Sequence, residues 1–171
     1  MQVKVIDDRS MDSPMASIGT SWQVFTDRVM GGVSHGIVIR DIIAGRPAMR
    51  MRGVVSLENN GGFVQMSLDL PASTGAFDAS AYRGVELDVI GNGQEYNVHL
   101  RTVDLTRPWQ SYRQNFKADE RWQTIQLHFE HFMPHRTDIP FDTRRLRRIG
   151  IAAIGRAFTV DLAVGGVRLF P

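Results

Sequence analysis

Phe63-Val64-Gln65-Met66-Ser67-Leu68-Asp69-Leu70 alternates apolar and polar residues almost without interruption. A period of two marks a half-buried strand, because successive side chains point to opposite faces. Val64, Met66, Leu68 and Leu70 make one apolar row. The same alternation recurs downstream. Gly84 to Ile90 sets Val85, Leu87 and Val89 against Glu86 and Asp88, and Trp122 to Phe129 sets Ile125, Leu127 and Phe129 against Gln126 and His128. Tyr96 to Val103 puts Tyr96, Val98 and Leu100 on one face and Asn97, His99 and Arg101 on the other. Ile149 to Ile154 and Phe158 to Phe170 read as mostly buried strands, the second bent or bulged at Gly165-Gly166.

Turn signals separate these runs at Asn59-Asn60-Gly61-Gly62, Pro71 to Gly75, Gly91-Asn92-Gly93 and Arg107-Pro108. No long helical period exists; Asp78 to Tyr82 and Thr143 to Arg147 each supply about one helical turn. About ten short strands at this spacing predict an all-β, two-sheet sandwich or barrel. A chain of 171 residues suits one such domain.

Hydrophobic residues are 43% and charged residues 22% of the chain, values of a globular rather than a disordered protein. Without cysteine, disulfides and thiolate metal sites are excluded. Met1 to Asp8 lacks the pattern of a signal or transit peptide, and no apolar run has a membrane-spanning length. A cytoplasmic location is therefore expected. The net charge of +2 does not call for nucleic acid, although the basic residues are arginine except at Lys4 and Lys117. The arginine cluster at 144, 145, 147 and 148 reads as a solvated turn beside a strand.

Several constellations imitate chemistry. His128, His131 and His135 have zinc-ligating side chains, but Pro134 and the strand-like context deny them one helical face. Gly91-x-Gly93 lacks the third glycine and the following helix of a dinucleotide fingerprint, so a hairpin turn is expected. Asp27 with Ser34-His35 lacks a nucleophile elbow. No catalytic residue, metal site or cofactor is assigned.

Binding candidates fall in two places. The segments 22–34 and 59–63 carry paired glycines suited to close backbone approach, and offer Asp27, Arg28, Met30, Gly31, Gly32, Ser34, Asn59, Asn60, Gly61 and Gly62, with Phe63 following. The second place is a polar sheet face. Asn97, His99 and Arg101 on one strand, with Gln110, Tyr112 and Gln114 on the next, would hydrogen-bond a sugar or a polar peptide. Trp109 and Tyr112 are the rings on which a pyranose would stack.

The order of these motifs resembles the complex I intermediate-associated protein 30 family. Trp22…Asp27-x-Val29-Met30-Gly31-Gly32-x-Ser34, Gly53, Ser56 and Asn59-Asn60-Gly61-Gly62-Phe63 carry the resemblance, followed by Tyr82-x-Gly84, Gly91-x-Gly93-x-x-Tyr96, Trp122, Phe129-x-x-Phe132-x-Pro134 and Ile149-Gly150-Ile151. It implies a galactose-binding-like jelly roll over residues 20–171; residues 1–19, which are less patterned, read as an arm or edge strand. It further implies a non-catalytic assembly chaperone for NADH:ubiquinone oxidoreductase, whose partners are complex I subunits or intermediates. Carbohydrate binding is the alternative, and a metal-dependent enzyme the third reading.

Overall fold

The computed structural model describes residues 2–71 and 75–171. Among them are twelve strands: β1 (Lys4–Asp7), β2 (Gln23–Thr26), β3 (His35–Ile43), β4 (Arg46–Val55), β5 (Phe63–Asp69), β6 (Gly84–Ile90), β7 (Glu95–Thr102), β8 (Ser111–Lys117), β9 (Gln123–His128), β10 (Met133–His135), β11 (Leu146–Ile154) and β12 (Phe158–Phe170). Single 3₁₀ turns occur at Asp27–Met30, Glu58–Asn60, Phe129–His131 and Thr143–Arg145. Asp78 to Tyr82 forms a turn closed by Tyr82 N–H donating to Ala79 O, not a helix. The turn expected at 71–75 falls mainly on 72–74, outside the described residues.

Two antiparallel sheets stack as a jelly-roll sandwich. The first has the order β3-β4-β12-β6-β9, with β1 also paired to β12; the second runs β10-β8-β7-β11-β5-β2. β12 is long enough to take β4 along Phe158–Val164 and β1 along Val167–Leu169 on the same edge. Its register shifts between Val164 and Gly166, a bulge at the expected glycines.

Each alternating row found in the sequence faces the interior. Val64, Met66 and Leu68 of β5, Val85, Leu87 and Val89 of β6, and Tyr96, Val98 and Leu100 of β7 are fully buried in one core. Gly91-Asn92-Gly93 is not a hairpin. It carries the chain from β6 in the first sheet to β7 in the second, held by Gly91 and Gly93 N–H groups donating to Asp119 O and Ala118 O. The N-terminal segment is fastened by the buried Asp7, whose carboxylate accepts from Arg9 Nε and Trp22 Nε1, both at 2.7 Å. Among the described residues, no helix is long and apolar enough to cross a membrane.

Candidate functional site

Asp27 is completely buried, although it sits between two surface loops. One carboxylate oxygen accepts from Ser34 N–H at 2.9 Å. The other accepts from the Ser34 hydroxyl, from Gly62 N–H at 2.5 Å and from Phe63 N–H at 3.2 Å. Burial alone pushes this carboxyl up, but the donors from Ser34, Gly62 and Phe63 outweigh it and hold the group below the ordinary carboxylate range. Glycines make room for it. A Cβ at Gly32 would overlap the Asp27 carboxyl, and one at Gly61 would lie 2.5 Å from Asp27 Oδ2. Gly31 serves differently, taking a left-handed φ of 89° to end the Asp27–Met30 turn. The two glycine segments are therefore one structural knot tied on a buried anion.

This knot accounts for several candidates at once. Ser34 is buried, and its hydroxyl also accepts from Ser56 N–H at 2.9 Å, so it is committed to joining the loops. Asn59 and Asn60 both have positive φ, near 56° and 58°, and shape the turn while their side chains face solvent. Arg28 bridges to Ser34 O at 3.0 Å and to the His35 ring. Beside the exposed Glu58, Asn59 and Asn60 project three apolar side chains: Val29 is 76% exposed, Met30 57% and Leu57 50%. Exposed Val54 and Ile37 extend this rim along the outer face of β3 and β4, where His35 pairs with Val54 and Ile37 with Arg52. Phe63, by contrast, is half-buried.

The second candidate surface is the outer face of the second sheet, and its composition differs from expectation. Strand register pairs Tyr112 with Leu100 and Gln114 with Val98, so both point inward, away from Asn97, His99 and Arg101. Tyr112 is fully buried, stacks on Phe141 at 4.6 Å, and donates its hydroxyl to Ile139 O at 2.7 Å. It offers no platform to a ligand. Phe116 has the same parity as Tyr112 and Gln114 and is buried, a sequence signal for the inward phase. Arg101 is also committed, donating to the carbonyls of Arg107 at 2.7 Å and Gln110 at 2.6 Å, which staples the loop carrying Trp109. Trp109 itself is 54% exposed, with Arg107 over its ring.

The residues that do share this face with Asn97 and His99 are Arg113 and Asn115 of β8, their cross-strand partners, and Ser67, Gly150 and Ala152 of β5 and β11. Ser111 lies on the same side of β8 as Arg113, and among the described residues Ser67 Oγ, His99 Nε2 and Ser111 Oγ are buried yet lack hydrogen-bond partners. Burial, aided by Arg113 and His135, pushes the His99 pKa down to about 4, so the ring is neutral at pH 7. Beside it, Glu95, Asn97, Arg113, Asn115 and Arg156 line a shallow polar cleft. Ser67, Ser111 and Arg113 do not stand out in the sequence, because their importance lies in cross-strand register.

The decoys separate in space or engage elsewhere. His128 packs against Phe170 and His131, while His135 pairs with Ser111 on the second sheet. Among the described residues, no group of three His, Asp or Glu side chains is arranged to hold a metal ion. Arg144, Arg145 and Arg148 are ion-paired to Asp142, Asp104 and Asp69.

Comparison with known proteins adds two findings. A family model described as complex I intermediate-associated protein 30 matches residues 12–164. A family 11 carbohydrate-binding module from Clostridium thermocellum, solved with a β-1,3-1,4-mixed-linked tetrasaccharide, is similar at a TM-score of 0.75 and 14% identity, over 98% of this chain and 95% of that one. A family 30 module from the Clostridium thermocellum cellulosomal cellulase Cel9D-Cel44B gives 0.68 and 16%, over 98% and 96%. At these identities the likeness is one of fold. No curated protein matches in sequence.

Proposed function

The chain belongs to the complex I intermediate-associated protein 30 family, and from that premise we propose that it is a non-catalytic protein-binding module. Its partner in this reading is an assembly intermediate of NADH:ubiquinone oxidoreductase or of a similar complex. The observation that carries the proposal is the rigid apolar rim. Asp27 fixes both loops from beneath, so Val29, Met30 and Leu57 are held in solvent without a collapse that would hide them. Apolar side chains on a pre-ordered support suit a protein surface, since little ordering entropy is lost on docking. Arg28 and Asn59 at the margin supply polar contacts of the kind found at interface rims.

Affinity purification of the tagged protein from its native host, followed by mass spectrometry, tests this reading. Complex I subunits should be recovered with the wild type and lost with Met30→Asp, which alters an exposed side chain. Absence of those subunits, together with normal complex I in a deletion strain, would sink the proposal.

Carbohydrate binding is the second reading, favoured by the fold likeness to sugar-binding modules and by exposed Trp109. Saturable binding of a simple sugar that Trp109→Ala abolishes would promote it over the first.

A further inference from the structure

On the outer face of the second sheet, β7 and β8 set His99 directly opposite Arg113, and Ser111 lies two residues from Arg113 on the same side of its strand. His99 is only 9% exposed and Ser111 is buried, yet among the described residues His99 Nε2 and Ser111 Oγ have no partner. Leaving a buried polar atom unpaired costs about 1–3 kcal/mol. Arg113 is half-buried and, among the described residues, forms neither an ion pair nor a guanidinium hydrogen bond. Three other arginines near this face are engaged: Arg148 with Asp69, Arg101 with loop carbonyls and Arg156 with Gln94, while Arg147, in the bulge of β11, and Arg136, beside His135, are exposed.

We propose that Arg113, His99 and Ser111 form a carboxylate-binding site that takes an acidic side chain from an extended segment of a protein partner. Arg113 supplies the forked donor that fits a carboxylate. A neutral His99 with its proton on Nε2 and the Ser111 hydroxyl add two more donors. Asn97 and Asn115 continue the row as amides suited to a peptide backbone. Among the described residues no acidic side chain occupies the position: Asp69 is held by Arg148, and Glu95 lies two cross-strand rows from His99. A uronic sugar carries the same carboxylate, but the rings on this face, Phe25 and Phe63, are half-buried, Arg148 lies over Phe25, and the exposed Trp109 sits off the sheet on the loop held by Arg101. A pyranose would find no free stacking surface beside His99. The choice of a protein carboxylate rests on the protein-binding reading above; the site does not.

The test is a heteronuclear NMR titration of the labelled protein at physiological salt with a blocked tetraglutamate peptide, and separately with trigalacturonate. Saturable shifts confined to Asn97, His99, Ser111, Arg113 and Asn115 are expected with the peptide. Arg113→Gln should weaken binding by about tenfold or more, the value of one charge-assisted hydrogen bond. Arg144→Gln, in the exposed pair with Asp142, should leave it unchanged. Absence of saturation, or shifts that persist in Arg113→Gln, would overturn the site. Saturation by trigalacturonate alone would overturn the protein source. Recovery of complex I subunits in the purification above, unaltered by Arg113→Gln, would remove this site and leave the rim standing.

Discussion

Replacing Asp27 with Asn probes the knot beneath the rim with almost no change of shape. An amide has one acceptor oxygen where the carboxylate has two, and four donors converge on Asp27. The better amide orientation keeps its oxygen toward Gly62, Phe63 and the Ser34 hydroxyl, and turns its NH₂ toward the Ser34 N–H. One buried N–H then loses its acceptor, costing about 1–3 kcal/mol, and three charge-assisted bonds become neutral ones. Burying a neutral amide rather than a carboxylate returns part of this. A net loss of about 3 kcal/mol results, which in a domain of this size lowers Tm by roughly 6–12 °C. Urea unfolding should show a midpoint lowered by roughly 1–2 M at unchanged m. The acid response provides an independent check. The folded Asp27 pKa is depressed, so its contribution is present above the unfolded value near 3.9 and lost as pH falls through the folded one. The gap between wild type and Asp27→Asn should therefore narrow in acid. Equal midpoints at pH 7 would refute the assignment of Asp27 as the hub.

Other consequences follow from the same geometry. Gly31→Ala should cost about 1 kcal/mol, since it faces open space and meets only left-handed strain. Gly32→Ala drives a methyl into the Asp27 carboxyl and should cost about 3 kcal/mol, so comparing the two by urea unfolding separates the roles of adjacent glycines. His99 should titrate by NMR near pH 4. The unfolded chain binds that proton near 6.5, so stability should fall as pH drops from about 6.5 to 4, by up to about 3 kcal/mol, a slope that His99→Gln would flatten. Trp22→Phe removes the indole donor from buried Asp7 and should destabilise by about 2 kcal/mol, read as a lowered Tm.

The core was legible because burial and strand geometry share a period of two: Val64, Met66 and Leu68 could face only one way once β5 was a strand. The candidate surfaces were harder for physical reasons. Tyr112 and Gln114 look polar in a list, but the phenol finds carbonyl partners at Ile139 and Pro140, so the ring can be buried without an unpaired hydroxyl. Which side of β8 faces inward is fixed by its pairing with Val98 and Leu100 across β7. The glycine motifs were visible as unusual segments, yet their joint dependence on one carboxylate involves Gly62, 35 residues away in sequence. Their exposed tip, Val29 and Leu57, reads as ordinary core material until the loops are placed.

The most direct test of the apolar rim as a docking surface is complementation of a deletion strain, with assembled complex I quantified on native gels. Wild type should restore the complex, whereas Val29→Ser/Met30→Ser/Leu57→Ser should fail despite a wild-type unfolding midpoint. Full assembly with the triple variant, or normal assembly in the uncomplemented deletion, would contradict the account.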